Sequence, residues 1–343
     1  MQNPVAIIVG AGPSGLATSA CLNQHSIPHI LLEREDCYAS LWKKYSYDRL
    51  RLHLRKQFCE LPHMSFPDSY PTYVPKDQFL QYLDDYVSHF KISPMYQRSV
   101  EFASFDEEAK KWNVKARNVS SGEIEEYSAR FLVVASGETS NPFIPKFEGL
   151  NTFTGEVIHS TGFKNGKTYC DKNVLVVGSG NSGMEIALDL ANHGARTSIA
   201  IRSALPHSIA EAGQLGIEYV EVFISVAWWT TLCCLPRTVS SFRCPRSLHQ
   251  NQVRRDPVLP ALESIRGNEV VFENGKSLPF DTIVFCTGFE RSTNKWLKGD
   301  DYLLNEDGIP KPSYLTIGRG RTVCIVLDYR GEVCMELAPM HRM

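Results

Sequence analysis

The chain has 343 residues, 43% of them hydrophobic and 22% charged, which is enough apolar material for two globular domains of ordinary size. A formal net charge of -2 supplies no basic field for a phosphate backbone, which excludes nucleic acid as a partner and points to a small-molecule substrate. Ten cysteines show no C-x-x-C and no metal-ligand spacing, so neither a metal centre nor a disulfide framework is expected, and reduced thiols in the cytoplasm are the expected state.

The start, MQNPVAIIVGAG, lacks the basic and small-residue flanks of a signal peptide, and its apolar residues read as a buried strand, Val5 to Val9. That strand leads into Gly10-Ala11-Gly12-Pro13-Ser14-Gly15 and a helix predicted over Leu16 to Gln24. In such a loop the first glycine permits the turn, the second admits a pyrophosphate and the third lets the helix pack on the strand. The helix N-terminus then meets the phosphate charge. A second strand, His29 to Leu32, ends at Glu33, about 20 residues after Gly10, where a carboxylate accepts hydrogen bonds from ribose hydroxyls. Strand, loop, helix, strand and acid in this order specify a dinucleotide site, expected to take the ADP half of FAD. Phe131 to Ala135 reads as another strand, ending in the turn Ser136-Gly137-Glu138.

The pattern then repeats. Asn173 to Val177 is an apolar strand, followed by Gly178-Ser179-Gly180-Asn181-Ser182-Gly183 and a helix predicted over Met184 to Asn192. Its second strand, Thr197 to Ile201, ends at Arg202 in place of an acid. That arginine either pairs with a 2′-phosphate, selecting NADPH, or is a surface residue at a strand end. The apolar run Val222 to Leu235 is shorter than the ~20 residues needed to cross a bilayer, so no stable membrane span is expected. Thr282 to Cys286 reads as a strand leading to Thr287-Gly288-Phe289. Two dinucleotide sites in one chain imply hydride transfer from a nicotinamide to a flavin.

Between the two loops lies Phe153-x-Gly155-x-x-x-His159-x-x-x-Phe163, which resembles the identifying motif of class B flavin monooxygenases. Ala39 to Pro67, Pro71 to Leu83 and Val270 to Phe289 closely resemble the plant YUCCA flavin monooxygenases, which convert indole-3-pyruvate to the auxin indole-3-acetate. The resemblance covers Met1 to about Leu205 and about Pro257 to Tyr314. It implies FAD and NADPH as cofactors, molecular oxygen as co-substrate and oxidative decarboxylation of a 2-keto acid. On the same resemblance, Trp42 lies against the flavin or in the core, and His159 is structural or catalytic, with structure favoured. Lys76 falls near a polar position beside the flavin or on the surface. No residue is assigned as the catalytic acid or base.

Two stretches depart from the family. Pro206 to Asp256 is shorter than its family counterpart and shows neither helical nor strand periodicity. Leu315 to Met343 lacks the glycine-rich closing segment of the family. With permitted codons, however, LTIGRGRTVCIVLDYRGEVCMELAPMHRM reads one nucleotide earlier as PNHWKGEDGLYCVGLSRRGLYGASTDAQN, which has the family's form. A shifted reading frame explains the tail, and a tail so derived is expected to pack poorly and to leave the flavin pocket open on one side.

The expected fold is α/β, with two Rossmann-like dinucleotide-binding domains, the NADPH domain inserted in a sequence-split FAD domain. The FAD domain is expected over 1–164, the NADPH domain over 165–290, and the remainder of the FAD domain over 291–343. Two rivals to the indole-3-pyruvate reaction are oxidation of a soft nitrogen or sulfur centre and an inactive nucleotide-binding remnant. A disulfide reductase is disfavoured because no redox cysteine pair follows the first loop.

Overall fold

The computed structural model describes residues 4–137, 139, 141–202 and 258–298, together with the backbone of Val323–Ile325. The run Val222 to Leu235, the atypical stretch that contains it and most of the tail lie outside the described residues. The chain divides into two compact units, the first comprising Met1–Lys44, Leu54–Asn141 and Phe289–Met343, the second Tyr45–His53 and Pro142–Gly288.

In the first unit, strand β1 (Ala6–Val9) is followed by helix α1 (Pro13–Gln24) and strand β2 (His29–Leu32). A short helix α2 (Ser40–Lys44) and helix α3 (Lys76–His89) come next. The antiparallel meander β3 (Arg98–Asp106), β4 (Lys111–Asn118) and β5 (Ile124–Ala129) then feeds β6 (Phe131–Val134). β1 pairs in parallel with β2 on one side and β6 on the other. All four residues of β1 are buried, because the meander covers one face of the sheet and α1 lies on the other. Ile7, Val9, Leu132 and Val134 pack with Trp112, Val114 and Ala116 of β4. β4 alternates buried and exposed positions, as a strand with one wet face must.

The second unit repeats the plan. Strand β7 (Glu156–His159) and strand β8 (Asn173–Val177) precede helix α4 (Asn181–Asn192) and strand β9 (Arg196–Ala200). After the undescribed stretch come β10 (Val258–Leu259), a small antiparallel sheet of β11 (Leu262–Arg266), β12 (Glu269–Phe272) and β13 (Ser277–Pro279), and β14 (Thr282–Phe285). The main sheet is parallel throughout, in the order β10-β9-β8-β14-β7. Leu175, Val177 and Phe285 point to one face and pack with Phe272 and Phe280 of the small sheet. Val174, Val176 and Val284 point to the other, toward Ile186 and Leu190 of α4. The period of two in a strand covered on both sides accounts for this division.

The chain returns to the first unit through helix α5 (Thr293–Trp296), whose Trp296 joins the β4 core. Strand β15 (Val323–Ile325) pairs in parallel with β6, giving the sheet order β15-β6-β1-β2. The tail was expected to pack poorly; its backbone nonetheless supplies an edge strand here, and the rest of that expectation falls outside the described residues.

Residues 142–164, placed with the first domain from sequence, group with the second unit because β7 hydrogen-bonds to β14 in the second sheet. Tyr45–His53 groups there too. Asp48 donates its backbone N–H to the Lys164 carbonyl at 2.8 Å and accepts from the Asn165 amide at 2.7 Å, and Tyr47 joins the core with Phe163, Val176 and Ile186. Cys21, Cys37, Cys59 and Cys286 are free thiols, whereas Cys170 is disulfide-bonded, a departure from the fully reduced state expected. Among the described residues no helix is long and apolar enough to cross a membrane.

Candidate functional site

Each parallel sheet carries a glycine loop between one of its strands, β1 or β8, and the helix that follows it. In the first unit Gly10 has φ +103°, and a Cβ there would meet the Ala135 carbonyl oxygen at 2.4 Å. A Cβ on Gly15 would meet the Gly10 oxygen at 1.9 Å. These two positions are closed to side chains by backbone. Gly12 has nothing within 4 Å of its Cβ position, so its outer side is open. It caps α1 with no side-chain hydrogen bond, and Pro13 follows at the start of the helix. The helix N-terminus therefore keeps N–H groups for a ligand, and Ser14 lies in that first turn.

Glu33 stands directly after β2 and is 7% exposed. One carboxylate oxygen accepts from the Ala11 N–H at 2.7 Å, the other from the Glu35 N–H at 3.0 Å. Burial pushes this carboxyl above the usual range, partly offset by the two amides. The acid is thus locked to the loop, with lone pairs left for hydroxyl donors. Ala39, whose N–H donates to the Ala11 carbonyl at 2.9 Å, ties α2 to the same loop and places Trp42 one turn away. Trp42 is half-buried and packs edge-on against Phe79 at 4.6 Å. Lys76 opens α3 and is half-buried.

The second loop is built in the same way. Gly178 has φ +109° and backs onto the Cys286 carbonyl, at 2.5 Å from its Cβ position, while Gly183 backs onto Gly178 at 2.1 Å. Gly180 has nothing within 4 Å and caps α4 without a side-chain hydrogen bond. Ser179 is half-buried, Asn181 is exposed at the first position of α4, and Ser182 follows it. Arg202 stands exposed just beyond β9. In each unit the strand on which the first glycine leans is the one ending in a short glycine turn, at Gly137 (φ +73°) and Gly288 (φ +83°). Both loops fit a dinucleotide: two glycines filled by backbone, one left open, and uncapped amides above.

The motif residues Phe153, Gly155, His159 and Phe163 lie on or beside β7. Phe153 packs on the second core and Phe163 is 1% exposed and stacked on Tyr169 at 5.8 Å. A Cβ on Gly155 would meet the Asp281 oxygen at 2.4 Å. His159 joins the Gly288 carbonyl through Nε2 at 3.0 Å and takes the Thr161 N–H on Nδ1 at 3.3 Å, which fixes a neutral ring with its proton on Nε2. Burial holds its pKa down. The motif therefore fastens β7 to the turn after β14, consistent with the structural reading of His159.

Sequence reasoning passed over Tyr47, His53 and Glu185. His53 Nε2 lies 3.0 Å from Glu185 Oε1, and Asn181 Nδ2 lies 3.1 Å from His53 Nδ1. No spacing rule links residues so far apart in the chain.

The family model for pyridine nucleotide-disulphide oxidoreductases matches residues 7–212. The chain is similar to "Probable indole-3-pyruvate monooxygenase YUCCA10" of Arabidopsis thaliana, 44% identical over 333 residues, covering 90% of this chain and 87% of that protein. It is 40% identical over 340 residues to "Indole-3-pyruvate monooxygenase YUCCA6" of the same plant, covering 89% and 80%. Among solved structures it resembles a flavin-containing monooxygenase from Stenotrophomonas maltophilia, with TM-score 0.69 and 19% identity over 95% of this chain and 90% of that one, a likeness of fold alone.

Proposed function

This chain belongs to the YUCCA family of flavin-dependent indole-3-pyruvate monooxygenases, and from that premise we propose that it converts indole-3-pyruvate to indole-3-acetate by oxidative decarboxylation, with NADPH and molecular oxygen. The observation that carries the reading is the duplicated phosphate loop, one per unit, in a chain 44% identical to a curated member over 90% of its length. FAD is the flavin cofactor and NADPH the reductant: bound, they supply hydride transfer and the activation of oxygen.

The first unit is the FAD domain. Its loop from Gly10 to Gly15, with the free amides of α1, holds the pyrophosphate, and Glu33 accepts from the ribose. Trp42, one turn from the residue that grips Ala11, shields the flavin. The second unit is the NADPH domain, with Gly178 to Gly183 holding the pyrophosphate and Arg202 taking the 2′-phosphate, for which its guanidinium fork is suited. The fixed neutral ring of His159 is compatible with anchoring and offers no proton to a substrate.

The test is turnover. The full chain, loaded with FAD and given NADPH and oxygen, is supplied with indole-3-pyruvate or with a thioether. Indole-3-acetate formed in step with NADPH consumption is the expected result. Sulfoxide without indole-3-acetate would move the chain to soft-centre oxidation, and NADPH consumption at background with both substrates would mark it as a remnant.

A further inference from the structure

Glu185, one turn into α4, is gripped from Tyr45–His53, a segment of the second unit that comes from far earlier in the chain. The Tyr47 hydroxyl, in a residue only 4% exposed, lies against Ser182 and Glu185 without a well-formed hydrogen bond to either. His53 bridges Glu185 at 3.0 Å and Asn181 at 3.1 Å. Asn181 stands at the first position of α4, beside the open side of Gly180.

The chemistry of the three groups sets their order. A carboxylate only accepts, so the His53 nitrogen facing Glu185 carries the proton. The other ring nitrogen, with Asn181 Nδ2 at 3.1 Å, accepts from that amide N–H₂. That turns the Asn181 oxygen away from the histidine. The first turn of α4, otherwise a set of N–H donors suited to phosphate, thus presents one acceptor.

We propose that His53 is a positioning residue for the second dinucleotide: oriented by Glu185, it holds the Asn181 carboxamide so that its oxygen accepts from a hydrogen-bond donor of the nicotinamide dinucleotide. The donor is a ribose hydroxyl or the nicotinamide carboxamide. The proposal rests on the reading of Gly178 to Gly183 as the NADPH loop, and adds to it a residue outside both loops.

The experiment is equilibrium binding of NADP⁺ to the full chain by calorimetry, with no turnover required. His53→Ala is expected to weaken binding about fivefold to tenfold, the worth of one net hydrogen bond. His53→Gln, which can donate to position 185 and accept from Asn181, is expected to recover binding to within about twofold, which a loss of packing alone would not allow. In an Asn181→Ala background, His53→Ala is expected to have no further effect. Adenosine 2′,5′-bisphosphate, which lacks the nicotinamide half, locates the donor: an effect confined to NADP⁺ places it on the nicotinamide half, an equal effect on the adenosine half. Unchanged NADP⁺ binding in His53→Ala, failure of the glutamine variant to recover it, or additive losses in the double variant would overturn the proposal while leaving the NADPH loop intact. Absence of NADP⁺ binding by the unaltered chain would overturn the loop reading and the proposal together.

Discussion

At the scale of the residue, two glycines do opposite things. Gly12 has an extended backbone, with φ -73°, that alanine adopts freely, and open space at its Cβ position. Gly155 has the Asp281 oxygen at 2.4 Å and a Phe153 ring carbon at 2.7 Å. Gly12→Ala is therefore expected to leave the melting of the flavin-free chain within about 0.5 kcal/mol of the parent, while its methyl group obstructs the pyrophosphate and FAD is lost on dialysis. Gly155→Ala is expected to cost about 1–3 kcal/mol through overpacking against backbone, with a lower melting temperature even when FAD is supplied in excess. Paired thermal melts and flavin titrations separate the two; a stable, flavin-retaining Gly12→Ala would contradict the cradle. The turn at Gly10 and the close packing at Gly15 were legible because the loop is local and its geometry follows from spacing. His53 was not, since its contact with Asn181 exists only after the chain has folded.

At the scale of the element, the strands and helices around both loops were readable from apolar runs, with His29–Leu32 and Asn173–Val177 as expected. The helices begin earlier than the apolar pattern suggested, at Pro13 and Asn181, because the loop residues themselves form the first turn. The meander was not read from sequence, and it carries its own electrostatics. Arg98 grips Glu125 with a two-pronged contact at 2.9 and 3.1 Å, and Tyr127 and Asn118 also donate to that carboxylate. Arg98 first, then Tyr127, hold the Glu125 carboxyl down to about 2 from the usual 4.5. A carboxyl lowered in the folded state adds stability above its unfolded value and loses it as pH falls toward the folded one. Glu125→Gln is thus expected to flatten the fall of melting temperature between about pH 4.5 and about pH 2, with little effect on how melting varies with pH above that window. An unchanged acid limb would show that the fork adds nothing.

At the scale of the whole molecule, the tail is expected to set how well the flavin is held. The chain as written is expected to purify with less than one FAD per chain. Replacing Leu315 to Met343 with the shifted reading, PNHWKGEDGLYCVGLSRRGLYGASTDAQN, is expected to raise the flavin-to-protein absorbance ratio toward one. A fully yellow parent chain would contradict this, and a transcript in frame across the Tyr314 codon would remove the frame-shift explanation. By itself the sequence determined the two strand–glycine loop–helix units, because turn and helix follow one another within a few residues, and, through longer matching stretches, the family and its cofactors. Tertiary structure alone decided which unit each segment joins. Residues 142–164 and 45–53 belong with the second unit through β7's pairing with β14 and Tyr47's burial beside Ile186. Strand pairing and core packing act between residues more than a hundred positions apart, and periodicity along the chain carries no trace of them.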